Sequence, residues 1–376
     1  MKRILIIINS IGYGGAERAL VNILSQKNLY EGIEVHVLLL DDEPIVRELP
    51  KNVNLIVANS KRSLFLSGLN IYRHVKAIKP DLCVSFLVRA NVCNAIVGKL
   101  ANAYPTIICE RMHLSSHFDN QFKGLKRRIA ESIPKVSYQL ANTVLGVSTG
   151  VTQNLVESYN VKQQRAATIF NPYPIENIIE LGQERPEYHL PNEFVVSVGR
   201  LTKSKNTKLL IDAFLASKET VPLVVLGTGE LKDELTAYIS NQDAQDKVIL
   251  LGYAKNPYAI VAKAKYYVSA STNEGFPNAL LEAMVLGRAA IMSDCPSGPA
   301  EILAGSFTFQ ASKVEMAEYG VLVPVNDTQA LTEAINAFQN SELITHYTLK
   351  SKERSTDYSI EKIANDYWTL FKEYMQ

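Results

Sequence analysis

The chain has 376 residues, 47% apolar and 20% charged, which describes a soluble globular protein too long for one ordinary core. Its four cysteines (Cys83, Cys93, Cys109, Cys295) form no C-x-x-C pair, so they read as reduced thiols and argue against a zinc site. The net charge of +1 conceals an asymmetry: residues 1–172 hold 21 basic and 12 acidic residues, a net of +9, and residues 173–376 hold 18 and 26, a net of −8.

A basic half joined to an acidic half points to an anionic surface facing the first half, either nucleic acid or lipid headgroups. The basic half carries no RNA-binding aromatic signature, which disfavours nucleic acid. The apolar run at the N-terminus, up to Ile8, is too short for a signal peptide or a membrane span and reads as a first strand. The chain is therefore expected in the cytoplasm.

In chain order, Lys2–Asn9 predicts a buried parallel strand. Gly12, Gly14 and Gly15 follow, and Ala19, Leu20, Ile23 and Leu24 then recur at helical spacing. Strand, glycine loop and helix is the layout that aims backbone N–H groups at a phosphate. The loop is not the dinucleotide fingerprint, because Glu17 stands at its third glycine position.

Further strands are predicted at Ile33–Leu40, Val53–Val57, Leu82–Phe86, Thr106–Cys109 and Thr143–Val147. Helices are predicted at Leu66–Ile78 and Asn91–Leu100, with a basic amphipathic helix over 123–141 interrupted at Pro134, and another helix capped by Ser148. Residues 173–191 read as a linker between domains 1–172 and 192–357. The second series of strands is expected at Phe194–Val198, Leu223–Leu226, Val248–Leu250, Tyr266–Ala270, Ala289–Met292 and Val321–Val323. Residues 305–319 show no period and read as an ordered or mobile loop, and Ile360–Tyr374 is an amphipathic helix. Strands alternating with helices predict α/β domains with parallel sheets, whose ligand sites lie beyond the strands' carboxyl ends.

Those strand ends carry the candidate chemistry. Arg200 and Lys205 are expected to flank a helix capped by Ser204, an arrangement that suits a diphosphate. Gly227, Gly229 and Gly252, with Tyr253, allow close backbone approach. In the run Ser271–Met284, Glu274 lies in a loop and Glu282 sits one to two turns into a helix beginning near Pro277, so two carboxylates can grip two parts of one ligand. No D-x-D and no cluster at metal spacing occurs, which argues against a metal-held nucleotide, and no G-x-S-x-G supports a hydrolase.

The strings G-G-A-E-R, V-G-R-L-T-K-S-K-N, E-G-F-P-N-A-L-L-E-A-M with its E-x7-E spacing, S-D-C-P-S-G-P-A-E-I-L and Y-G-V-L-V-P-V-N-D, in that order, resemble glycosyltransferase family 4. The S-D-C-P-S-G-P form is similar to that of bacterial enzymes extending lipid-linked oligosaccharides. The resemblance implies a GT-B fold: two Rossmann-like, doubly wound domains across a cleft, with a last helix over 358–376 crossing back to the first. It implies retaining, metal-free transfer of a hexose or N-acetylhexosamine from a nucleotide-diphosphate sugar, usually of UDP, with no cofactor. The product would belong to cell-surface polysaccharide, lipopolysaccharide or capsule synthesis.

Carried over by position, Arg200 and Lys205 hold the diphosphate, Glu282 binds the ribose, and Glu274 with Gly275, Phe276 and Asn278 faces the donor sugar. Gly14 and Gly15 let the first domain reach the donor phosphate or the acceptor. Arg111 stands where many relatives in that family carry a histidine, with His113 two residues on. A fixed cation cannot do a neutral imidazole's proton chemistry, so Arg111 is expected to orient an anion and His113 is the candidate substitute. Lys61, Arg62, Arg73, Lys76, Lys79, Lys123, Lys126, Arg127, Arg128 and Lys135 would face an anionic membrane and a polyprenyl-diphosphate-linked acceptor. The competing readings are a nucleotide-sugar epimerase or a phosphorylase of the same fold, or a non-catalytic binding module.

Overall fold

A computed structural model describes residues 1–376, the side chain of Asn120 excepted. The chain divides into two compact units, one of Met1–Tyr173 with Tyr358–Gln376 and one of Pro174–Asp357.

Unit 1 runs β1 (Lys2–Ile8), α1 (Gly15–Ser25), β2 (Ile33–Leu39), β3 (Val53–Val57), α2 (Leu64–Ile78), β4 (Leu82–Phe86), α3 (Val88–Ala101), β5 (Thr106–Glu110), α4 (Leu114–Gln121), α5 (Gly124–Ser137), β6 (Thr143–Gly146), α6 (Thr149–Tyr159) and β7 (Ala166–Thr168). The strands form a parallel sheet ordered β3-β2-β1-β4-β5-β6-β7. Ile4 to Ile8 are fully buried, as a strand covered on both faces requires. Ile4, Ile6 and Ile8 point into a cluster with α1 residues, and Leu5 and Ile7 into one with α2 and α3 residues. Ser148 caps α6, accepting from the Val151 N–H at 3.2 Å.

Unit 2 runs α7 (Ile175–Gln183), β8 (Val195–Val198), α8 (Thr207–Ala216), β9 (Leu223–Leu226), α9 (Lys232–Asn241), β10 (Val248–Gly252), α10 (Pro257–Val261), β11 (Tyr267–Ser269), α11 (Asn278–Val285), β12 (Ala290–Ser293), α12 (Pro299–Leu303), β13 (Glu315–Met316), β14 (Val321–Val323), α13 (Thr328–Ala337) and α14 (Ser341–Ser355). Its sheet is ordered β10-β9-β8-β11-β12-β14-β13, parallel except for β13. The polar stretch after Tyr173 thus holds a helix, α7, which packs on α10 and α11.

One expectation about the helices needs correction. Pro134 does not interrupt α5. The helix runs on to Ser137, because a missing N–H removes only one bond of the ladder and the Tyr138 N–H still reaches the Pro134 carbonyl. Of the two readings of the aperiodic 305–319, the structure shows the ordered one, with the short strand β13 inside it. The Ala311 N–H bonds Asp294 at 2.7 Å, and Tyr347 donates to the Ala317 carbonyl at 3.0 Å.

The last helix, α15 (Ile360–Tyr374), belongs to unit 1. Trp368 stacks on Tyr30 with centroids 4.6 Å apart, and its indole N–H donates to the Ile23 carbonyl at 3.1 Å. Tyr367 and Phe371 are buried beside it. Denaturant unfolding should show Trp368→Ala destabilising unit 1 by about 3–5 kcal/mol. The exposed Asp366→Ala on the same helix should stay within about 0.5 kcal/mol, and equal losses would contradict a core role for this helix face.

Candidate active site

In unit 2 the strand order turns between β8 and β11, and the loops leaving these two strands bound the crevice where open α/β sheets bind ligands. The Gly199 N–H donates to the Leu226 carbonyl, and the Leu201 N–H to the Thr228 carbonyl, both at 2.9 Å. A Cβ on Gly227 (φ +132°) would sit 2.0 Å from the Gly199 carbonyl oxygen, and one on Gly229 would sit 2.3 Å from that of Leu201. The backbone that approaches these two glycines, which follow β9, is therefore the loop after β8. Gly252 has open space around its missing Cβ, and Tyr253 is half exposed, its carbonyl accepting from the Tyr188 hydroxyl at 2.6 Å.

Ser204 is not the cap of α8, contrary to expectation. It lies in a tight turn over Lys203–Lys205, and Asn206, in the left-handed conformation (φ 50°, ψ 40°), precedes the helix. Asn tolerates that conformation better than most residues, which is why the chain can reverse there. The Ser204 carbonyl instead accepts from the Thr272 N–H at 2.8 Å, tying the β8 loop to the β11 loop.

That tie brings together two of the predicted residues. The Lys205 ammonium donates to the Glu274 carboxylate, the two side chains being 24% and 12% exposed. Glu274 is fixed from behind: its N–H donates to the Pro296 carbonyl and its carbonyl accepts from the Ser297 N–H, both at 2.8 Å. The Ser297 hydroxyl adds a bond to the Gly275 carbonyl at 3.1 Å. Gly298 (φ +104°) closes the clamp, since a Cβ there would meet Pro277 at 2.6 Å.

Phe276 is buried, Asn278 begins α11, and Glu282 lies buried on that helix, while Arg200 stands exposed on the β8 loop. Tyr267 and Cys295 are neighbours that sequence reading missed. Burial first, then the nearby Glu274, pushes both the Tyr267 phenol and the Cys295 thiol above their ordinary ranges, so both stay protonated.

In unit 1, Gly14 precedes α1 and Gly15 begins it. The Glu17 carboxylate folds back over that opening, 2.2 Å from where a Cβ on Gly14 would stand. Arg111 follows β5 and is buried. Its Nη1 donates to the Tyr367 hydroxyl at 2.9 Å, and its Nη2 has no hydrogen-bond partner among the described residues. A buried cation without a carboxylate bound to it is costly unless an anion or water completes its shell. Glu110, beside it, is fully buried and already satisfied by the Tyr138 hydroxyl at 2.6 Å and the N–H groups of Arg111 and Met112. Tyr367 and Tyr138 reach this corner from distant sequence, with no local signal to announce them. His113 caps α4, its Nδ1 meeting the Ser116 hydroxyl at 2.8 Å.

A family model described as glycosyl transferases group 1 matches residues 183–358. Along 97% of its length the chain is 30% identical to a Campylobacter jejuni protein, covering 98% of it. That protein is the N-acetylgalactosamine-N,N'-diacetylbacillosaminyl-diphospho-undecaprenol 4-alpha-N-acetylgalactosaminyltransferase. A second C. jejuni N-acetylgalactosaminyltransferase, acting on a longer undecaprenol-linked glycan, is 26% identical, with 99% of each chain covered. Anabaena HepE, solved in complex with UDP, superposes with a TM-score of 0.78 at 20% identity, over 99% of this chain and 100% of that one. The two parallel-sheet α/β units thus have the GT-B fold.

The loop after β5 also sets a pH response. Burial pushes the His113 and His117 imidazoles below their ordinary range, with Asp119 pulling His113 the other way. The unfolded chain then binds more protons than the folded one. The stability these groups contribute is present above about pH 6.5 and is lost as pH falls through the folded-state values. Melting temperatures between about pH 7.5 and 5.5 should fall more steeply for wild type than for a His113→Asn/His117→Asn variant, in which Asn keeps the cap at 113. Parallel curves would refute the assignment.

Proposed function

This chain belongs to the group 1 glycosyl transferases, and we propose that it moves a hexose or N-acetylhexosamine from a UDP-sugar to a polyprenyl-diphosphate-linked glycan, with retention at the anomeric carbon and without a catalytic metal. The observation that carries this reading is the Lys205–Glu274 pair at the strand-order reversal of unit 2, with Glu282 buried on the helix that follows. The acceptor class follows the names of the Campylobacter relatives, and the donor nucleotide follows UDP in the Anabaena structure. Peripheral contact of the basic unit 1 with an anionic membrane, on the cytoplasmic side, belongs to the same reading.

The roles divide by charge. As the bond from the anomeric carbon to the β-phosphate oxygen breaks, its electron pair leaves with the nucleoside diphosphate. The acceptor hydroxyl oxygen bonds that carbon from the same face and passes its proton to the departing phosphate, and Arg200 and Lys205 neutralise the phosphate charge. Glu282 accepts from the ribose hydroxyls. Glu274, with the backbone of Gly275, Phe276 and Asn278, faces the sugar. Gly252 and Tyr253 border the nucleotide, Gly227 and Gly229 shape the loop under it, and Gly14 and Gly15 offer backbone N–H groups to the donor phosphate or the acceptor. Arg111 holds an anionic group through its second guanidinium nitrogen, and His113 positions the turn that carries it.

One consequence concerns Lys205. Its ammonium is held by Glu274, so an arriving diphosphate must draw it away from that carboxylate, which is then released toward the sugar. Calorimetry with UDP should find Lys205→Ala weakened about tenfold or more, and Glu274→Gln binding at least as tightly as wild type. Glu274→Gln should nevertheless slow transfer about a hundredfold. Loss of UDP binding in Glu274→Gln would mean that the two residues do not compete.

The reading as a whole is tested by turnover of a UDP-sugar panel in EDTA with a membrane-extract acceptor, the product anomer being assigned by NMR. An α-product from an α-donor is expected. No turnover across the panel, an inverted product, or epimerised donor without acceptor would overturn it.

A further inference from the structure

We propose that α2, α3 and α5 together form a face of unit 1 that seats on an anionic phospholipid bilayer, with α5 lying in the headgroup plane. This deepens the membrane part of the reading above and rests on it for its purpose, but the observation is separate. Helix α5 is amphipathic the wrong way round for a helix packed on a core. Its buried residues are Pro134 and Ser137, while Leu125, Ile129, Ile133 and Val136 are 72, 56, 40 and 66% exposed. Spacings of four, four and three put these side chains in one row along the helix. A row of that kind on a soluble protein marks a surface that meets something apolar.

The neighbouring helices expose apolar side chains as well. α3 packs between α2 and α5, and it exposes Ile96 and Leu100, the latter at 78%. α2 exposes Leu64, Phe65 and Tyr72. α2 and α3 cover the sheet face that receives Leu5 and Ile7, opposite the face covered by α1 and α15, and α5 packs beside α3.

Charge selects the partner. α2 and α3 contain no Asp or Glu, and the single acid of α5, Glu131, is half-buried beside Arg127 and Tyr159. The exposed cations Lys123, Lys126 and Arg128 flank the apolar row, with Arg73, Lys76 and Lys99 on the other two helices. Apolar side chains bordered by Lys and Arg are what an interfacial helix presents to acyl chains and anionic headgroups. Two copies of this face would set cation against cation, which disfavours self-association. Among the described residues no helix is long and apolar enough to cross a membrane, so docking is by the surface.

The test is co-sedimentation of the full chain with phosphatidylcholine vesicles, with and without phosphatidylglycerol, alongside calorimetry with UDP. The wild type should pellet with phosphatidylglycerol vesicles, less so as salt rises. A Leu125→Ser/Ile129→Ser/Ile133→Ser variant should lose vesicle affinity about tenfold or more. A Lys123→Glu/Lys126→Glu/Arg128→Glu variant should lose the preference for phosphatidylglycerol. All three proteins should bind UDP alike, so a defect in vesicle binding is separable from failure of the donor reading. Wild type left in the supernatant, or a serine variant that pellets like wild type, would overturn the proposal. So would a dimer without vesicles that the serine substitutions dissociate, since that would assign the face to a second copy.

Discussion

The parallel pairing of β11 with β8 is the constraint on which the candidate site depends. Parallel neighbours need a crossover, and here the crossovers run outward in both directions from this pair, leaving a gap between the loops at their carboxyl ends. Lys205 enters that gap from one strand and Glu274 from the other. Neither loop is held by its own sequence alone. The Thr272–Ser204 bond ties them to each other, and the Pro296–Ser297 backbone grips Glu274 from the far side. With three loops bonded in series, the carboxylate and the ammonium meet on backbone that has little freedom left to lose, as a site built for electrostatic work requires.

Unit 1 solves a similar problem with buried polar groups. Glu110 is completely enclosed, and burial raises its carboxyl above the ordinary range even though Tyr138 and two backbone N–H groups pull it down. Those bonds fix the turn after β5 in one arrangement. The turn then presents Arg111, whose guanidinium leans on Tyr367 from the last helix and lies over the Phe86 ring at 5.8 Å. Glu110 and Tyr138 also anchor the end of α5 to that turn, so the surface helix and the buried cation share a support.

Much of this was legible in the sequence. Continuous apolar runs marked the buried strands, and glycines and charges collected at their ends, because a parallel sheet places function there. Glu274 in a loop and Glu282 on the helix after Pro277 followed from turn and helix chemistry alone. What escaped notice was what depends on distant partners. Ser204 looked like a cap, but Asn206 could take the left-handed conformation that moves the helix start two residues on. Tyr267 fell within a strand, Cys295 within a motif string and Tyr367 within the last helix, and nothing local says which buried side chain touches a site. Pro134 looked like a break, but a helix lying on the surface tolerates one missing bond. The outward direction of Leu125 and Ile129 was invisible for the same reason: periodicity locates a stripe, and only packing says which way it faces.

The position of α15 bears on how the protein is made. Unit 1 is written in two pieces, and 184 residues of unit 2, Pro174–Asp357, stand between them. Until Ile363, Trp368 and Phe371 have left the ribosome, the sheet face carrying Ile4, Ile6 and Ile8 lacks part of its cover, so the first unit begun is the last to be completed. A contact such as Trp368 with Ile23 spans nearly the whole chain, and closing so long a loop is entropically slow. During synthesis the nascent N-terminal half therefore waits with an apolar face open. It is a natural client for chaperones, and chains cut short near Tyr358 are the ones most exposed to aggregation.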